Sequence, residues 1–327
     1  MSREAVVTAI LAADRLTAIC HENPDADTLG SALALRFAAE RLGKRAEVVA
    51  ADPVPPSLAA LPGIGDVRSR PQLEPGLAVV LDGPPSRTGA IATDCAEWLG
   101  RATVVNIDHH VSNDGSESAA AWIDPAAAAT CEMMATLLPA LGVEIDTDIA
   151  TVLTAGIVQD THTFAHPNAT PATLRVTADL VEAGAPLSTI HRSIYADKPF
   201  STIALWGRIL GTASQRRDGR LVWAVMTGAM LAETGTEAVA SEGLIDLLAS
   251  TKAADVTVLF KEADVSEVRV SVRTSARADA VAITSAFGGG GHARAAGCTV
   301  AAPLADAVER VLDECERELD RADARGR

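Results

Sequence analysis

Residues 103–114 read TVVNIDHHVSND: a short run rich in β-branched side chains, then Asp108-His109-His110, then a polar turn. A short apolar run closed by turn residues predicts a strand buried on both faces, the kind that parallel sheets contain. The pattern recurs upstream. Strands are expected at 16–20 (LTAIC), 46–51 (AEVVAA) and 77–81 (LAVVL). Helical periodicity runs over 28–42, 126–141, 147–159, 171–183 and 186–195. Such alternation predicts an α/β fold with a mostly parallel sheet flanked by helices.

Beyond residue 200 the pattern changes. A helix around 202–210 is followed by a strand at 221–227 and a helix over 235–250. Two adjacent strands, 256–261 and 267–274, are joined by a polar turn and read as a hairpin. A helix at 279–287, a glycine loop and a helix at 304–321 complete the chain. At 327 residues the length exceeds one typical core. DKPFST, 197–202, breaks the helical pattern, so domains are expected at 1–196 and 206–327 with a connector at 197–205.

A net charge of −15 argues against affinity for long DNA or RNA, which needs a basic face. Aromatic residues make up 3%, too few to grip a strand by stacking many bases. A small anionic substrate is still accommodated if metal ions supply local positive charge. The stretch MSREAVVTAILAADRLTAIC, 1–20, shows no long apolar core followed by a small-residue cleavage site, so no leader is expected; no apolar stretch is long enough to span a bilayer, and the five cysteines are scattered. Reduced thiols and a cytoplasmic location are therefore expected.

In open parallel sheets, ligands bind beyond the carboxyl ends of the strands. After LTAIC come His21, Asp25 and Asp27; after LAVVL, Asp82; after TVVNI, Asp108, His109 and His110. Asp160 closes the helical stretch TVLTAGIVQ. One Asp at a strand end is ordinarily a helix cap or turn former, and Asp27 alone reads as the cap of the helix expected from 28. Three strands delivering such groups to one edge is a pattern that capping does not explain. Carboxylates with imidazoles and no cysteine suit Mn²⁺, with Mg²⁺ or Co²⁺ as alternatives. Mutual repulsion among so many anions makes two ions the expectation. Two ions sharing a carboxylate generate a hydroxide nucleophile and clamp phosphate oxygens, so phosphate-ester hydrolysis is the expected chemistry.

The stretch FGGGGHARAAG, 287–297, leaves backbone N–H groups free to approach an anion; a hinge is the ordinary alternative. It lacks the Lys-Ser/Thr of a P-loop and the spacing of a dinucleotide fingerprint, so ATP hydrolysis and NAD binding are not supported. Arg273, in VSVRTS, either points at the same ligand or is a solvated charge on a strand face.

Together His21-x-x-x-Asp25-x-Asp27, Asp82, Asp108-His109-His110 and Asp160 resemble the four motifs of the DHH phosphoesterases. FGGGGHARAAG is similar to the signature of the associated DHHA1 domain. The two-domain length resembles the nanoRNase/pAp phosphatase (NrnA-like) branch. The resemblance implies an N-terminal DHH domain, a smaller C-terminal α/β DHHA1 domain and an active-site cleft between them. It implies Mn²⁺-dependent hydrolysis of short oligoribonucleotides and of 3′-phosphoadenosine 5′-phosphate, by a homodimer. By the same resemblance His21 and Asp25 hold one metal and Asp27, His109 and Asp160 the other, with Asp82 bridging. Asp108 supports the site, at its edge or by orienting His109, and His110 serves as hydrogen-bond donor or general acid. Gly289, Gly290, Gly291 and His292, with Arg273, bind the terminal phosphate or nucleoside, and Arg87 contacts phosphate.

Two departures are visible. The fourth motif commonly runs Asp-Thr/Ser-Gly, but here it is Asp160-Thr161-His162, which places an imidazole beside the metals. After Asp82 stand Gly83-Pro84-Pro85, where small hydroxyl residues are usual. Both bear on substrate preference, and His162 is expected to tune substrate size. Alternatives are a soluble cyclic-dinucleotide phosphodiesterase and a RecJ-like exonuclease, which would be longer. A nucleotide-binding regulator would have lost a ligand.

Overall fold

The computed structural model describes residues 2–325, in two compact units, one up to Asp197 and one from Lys198 onward. The first unit begins with α1 (Arg3–Ala12), β1 (Arg15–Ile19), α2 (Ala26–Arg41), β2 (Arg45–Val49) and β3 (Leu77–Leu81). It continues through α3 (Ala90–Asp94), α4 (Ala96–Arg101), β4 (Thr103–Asp108) and β5 (Ala120–Ile123). It closes with α5 (Thr130–Ala140), α6 (Thr147–Asp160), α7 (Pro171–Glu182), α8 (Leu187–His191) and a π-helical turn, Arg192–Ala196.

The five strands pair in the order β2-β1-β3-β4-β5, all parallel. β3 is buried throughout because both sheet faces are covered. Leu77, Val79 and Leu81 face the core formed with α2, α5 and α6, while Ala78 and Val80 pack with Ile91 and Trp98 on the other side. The strands whose ends carry the acids and imidazoles, β1, β3 and β4, are consecutive, so those ends lie about 5 Å apart. The C-terminus of α6 reaches the same edge because α2 and α6 approach closely at glycines. A Cβ on Gly156 would stand 2.4 Å from Cys131 Sγ and 2.7 Å from Asp27 Oδ1.

The second unit comprises α9 (Phe200–Leu210), β6 (Ser214–Arg216), β7 (Leu221–Met226), α10 (Gly228–Thr234), α11 (Leu244–Ala249) and β8 (Val256–Asp264). After these come β9 (Glu267–Thr274), α12 (Ala280–Thr284), β10 (Gly290–His292), β11 (Ala295–Ala301) and α13 (Leu304–Arg325). Its sheet runs β10-β11-β9-β8-β7-β6, antiparallel except for β7 with β8. The α/β class with a parallel first sheet and a second, flanked sheet is the one expected, and the β8–β9 hairpin is present. No helix of the described residues is long and apolar enough to cross a membrane.

Three local expectations are corrected. The helix expected over 235–250 is broken, because Gly235 and Gly243 take left-handed backbones (φ 61° and 83°) that end α10 and precede α11. The helix expected from 126 starts at Thr130. Part of the glycine loop is strand: Gly290–His292 form β10, which pairs with β11 across a tight turn. A Cβ on Gly291 would meet Ala295 O at 2.6 Å and one on Gly289 would meet Gly297 O at 2.3 Å, so the glycines permit close strand packing.

Candidate active site

Asp25 and Asp27 divide two tasks at the start of α2. Asp25, not Asp27, is the N-cap: its Oδ1 accepts from the amides of Asp27 (3.0 Å) and Thr28 (3.1 Å). The helix begins two residues earlier than its apolar pattern suggests, which puts Asp27 inside the first turn. There its carboxylate turns inward and is fully buried. Oδ2 accepts from Thr130 N (2.6 Å) and Oδ1 from Cys131 N (2.8 Å), the first amides of α5. The positive end of that helix thus stabilises a buried charge.

Asp82 follows β3 with a left-handed backbone (φ 64°), uncommon for a residue other than glycine. Its two oxygens face different histidines. Oδ2 lies 3.4 Å from His21 Nε2; Oδ1 lies 3.4 Å from His109 Nε2 and 3.7 Å from His110 Nδ1. The hydroxyl of Thr130 donates to Oδ1 (3.0 Å). His21 Nε2 is also 3.6 Å from Asp25 Oδ1, and His109 Nε2 is 3.1 Å from Asp160 Oδ2 and 3.9 Å from Asp27 Oδ2. The other ring nitrogen of each histidine points at a carbonyl: His21 Nδ1 at Glu22 O (2.7 Å), His109 Nδ1 at Ala127 O (3.3 Å). A carbonyl only accepts, so each Nδ1 carries the proton and each neutral ring offers Nε2 to a cation.

In each of three sets the donor atoms lie within 4.8 Å of one another: His21, Asp25, Asp82; Asp27, His109, Asp160; and Asp82, His109, His110. Asp82 joins the first set to the third, and His109 joins the third to the second. The electrostatics call for positive charge. Burial pushes Asp27 well above the ordinary carboxylate range, reinforced by the charges of Asp82 and Asp160. Burial also raises Asp160, to about 6, against the bond from His109. Asp160 in addition terminates α6, where the helix dipole disfavours an anion. Burial opposes charge on His21, yet the hydrogen bonds and charges of Asp25 and Asp82 bring it to about 10. His109 reaches about 10 for the same reason, with Asp160 and Asp27 as partners. Burial opposes ionisation of Asp82 as well, but the bond from His21 and the surrounding imidazoles hold it at about 2. A set of oxygen and imidazole donors this dense and this deprived of solvent fits hard to intermediate divalent cations.

Asp108 serves His110 rather than His109. Its Oδ1 accepts from His110 N (3.0 Å) and Nδ1 (2.7 Å), and Oδ2 accepts from Asn113 Nδ2 (2.6 Å). The bond to Asp108 raises the pKa of His110. Asn113 also donates to the side chain of Asn106 (2.7 Å), which in turn donates to Val80 O (3.0 Å) and Gly83 O (2.8 Å). Sequence reading missed Thr130, Asn106 and Asn113. The signal for Asn106 was present, since an amide inside the apolar run TVVNI needs buried partners.

The remaining candidates divide. Arg87 is exposed beside the site, 3.8 Å from Glu22. His162 follows Asp160 by two residues. In the second unit Arg273 is opposite Ala295, which is itself opposite His292, so the three lie in one row across β9, β11 and β10. The Arg273 guanidinium is bound to Asp246 (2.9 Å). Gly289, Gly290 and Gly291 lead into and form β10. The side chain of His292 lies outside the described residues.

The sequence matches the DHH family, N-terminal domain, over residues 15–157, and the DHHA1 domain over residues 220–320. It is 35% identical over 306 residues to the bifunctional oligoribonuclease and PAP phosphatase NrnA of Thermus thermophilus, covering 92% of this chain and 89% of that protein. The protein of the same name from Bacillus subtilis is 26% identical over 299 residues, covering 90% and 92%. In fold, the chain is similar to an exopolyphosphatase-related protein from Bacteroides fragilis, with a TM-score of 0.90, 20% identity, and coverage of 98% and 97%.

Proposed function

The chain belongs to the DHH family, and from that premise we propose that it is a metal-dependent phosphoesterase acting on short oligoribonucleotides and on 3′-phosphoadenosine 5′-phosphate. The observation that carries the reading is the placement of Asp82, whose two oxygens face His21 on one side and His109 on the other. Two divalent ions, Mn²⁺ by the donor set, would supply electrophilic stabilisation of the phosphate oxygens and acidify the attacking water. His21, Asp25 and Asp82 would hold one ion; Asp27, His109, Asp160 and the shared Asp82 the other.

The chain's own groups have distinct tasks. His110, oriented by Asp108, donates a hydrogen bond to the phosphate or a proton to the leaving oxygen. Thr130 fixes the Asp82 carboxylate. From the second unit, Gly289, Gly290, Gly291 and His292 with Arg273 are assigned to substrate, as is Arg87 in the first. The charge of −15 supports small nucleotides over long DNA. The working form is taken to be a cytoplasmic homodimer.

The test is Mn²⁺-dependent hydrolysis of a diribonucleotide and of 3′-phosphoadenosine 5′-phosphate. Asp82→Ala and His109→Ala should abolish both with the circular dichroism spectrum retained. Full activity in either variant would overturn the assignment.

A further inference from the structure

Beside the candidate centre stands a group of rings that phosphate chemistry does not use. The chain has one tyrosine and seven histidines, and the tyrosine and three of the histidines form a connected group of rings here. After α6 ends at Asp160 the backbone enters a tight turn in which His162, Thr163 and Phe164 are all left-handed (φ 48°, 55° and 64°). Three such residues in a row persist only where the surroundings impose them.

They are imposed by many bonds. Thr163 N donates to Val158 O (2.8 Å), Phe164 N donates to Thr161 Oγ1 (3.0 Å), and Thr163 Oγ1 is bonded to His191 Nδ1 (2.9 Å). Asn168 Nδ2 donates to Asp160 O (3.2 Å) and Ala128 O (3.0 Å). The result is an ordered ring stack. His162 and His166, both exposed, lie nearly parallel at 15°, with centroids 5.2 Å apart. Tyr195 meets His162 edge-on at 4.8 Å. Tyr195 sits on the π-helical turn, and its hydroxyl donates to Gln159 O (3.0 Å) and Val158 O (3.3 Å), at the end of α6.

Two residues span at most about 7 Å, so the stack begins within that distance of the backbone of Asp160. Every nucleobase has a π face, and flat side chains bind it with little regard to sequence. We propose that His162 and His166, backed by Tyr195, form a platform on which the base next to the scissile phosphate stacks, so that the chain selects nucleotide esters over base-free ones. This rests on the phosphoesterase reading and names the substrate feature that its site recognises.

The test compares AMP with ribose 5-phosphate by isothermal titration to the Mn²⁺-loaded protein. In parallel, kcat/KM is measured for a diribonucleotide and for its analogue lacking one base. Removing a stacking partner is expected to cost about five- to a hundred-fold in affinity. The preference for AMP should fall by that factor in His162→Gly, a residue that suits φ 48° and so preserves the turn. It should survive in His162→Phe and weaken in His166→Ala. A preference unchanged in His162→Gly overturns the platform. So does equal loss in the Gly and Phe variants, or an equal loss of affinity for both ligands, which would mark a phosphate donor. The two readings fail separately. An AMP preference that depends on His162, without turnover of any ester, sinks the hydrolase; turnover indifferent to the base sinks the platform.

Discussion

His109 and His110 are adjacent in sequence and differ in what they touch. His109 directs Nε2 at Asp160, Asp82 and Asp27, while His110 is held by Asp108. His109→Ala should therefore weaken Mn²⁺ binding measured by calorimetry. His110→Ala should retain most of that binding and lose about 10²–10⁴-fold in kcat, the range for a general acid. Protonation adds a second expectation. With pKa values of about 10, His21 and His109 carry protons at neutral pH when no cation competes. A ligand imidazole must be neutral, so metal binding displaces those protons. Mn²⁺ affinity should rise as the pH is raised from about 6 to about 8, with net proton release detected by titration in buffers of different ionisation enthalpy. Affinity independent of pH would contradict it.

Among the elements, α2 and α6 set the site by their closeness. Gly156→Ala would place a methyl against Cys131 Sγ and Asp27 Oδ1, and overpacking of this kind costs about 1–3 kcal/mol. The variant should show a lowered denaturation midpoint together with weaker Mn²⁺ binding, because the helix that gives way also carries Asp160. The elements also mark where sequence reading succeeds. β1, β3 and β4 run into the buried interior of the sheet, so their apolar runs and the groups that follow are visible without a structure. β5 was invisible because AAWI is short and half-exposed. The 287–297 segment misled because glycine runs usually signal loops, whereas here glycines make room for a paired strand. Capping fell to Asp25 instead of Asp27 because it depends on a boundary that periodicity places only within a turn.

For the whole molecule, the hydrophobic clusters of the two units share no residue. The second unit has its own charge lattice as well: Arg220 binds Asp255 (2.7 Å) and Asp323 (2.9 Å), and buried Glu318 binds Arg321 (2.9 Å). All candidate metal ligands belong to the first unit. Calorimetry should resolve two transitions, and Mn²⁺ at about a hundred times its Kd should stabilise one of them by about 2.7 kcal/mol. A chelator should reverse that shift and leave the other transition in place; equal movement of both would count against the assignment.

The way Asp27 is held has a practical consequence for anyone wishing to trap a substrate in this protein. The usual choice for a silent ligand is the isosteric amide. At Asp27 both oxygens receive backbone N–H groups, from Thr130 and Cys131, so either orientation of an asparagine would set NH₂ against N–H. That exchange would damage the scaffold it was meant to preserve. Asp160 presents its carboxylate to the His109 imidazole instead of to a pair of helix amides, and Asp160→Asn is the substitution to crystallise with an uncleaved dinucleotide.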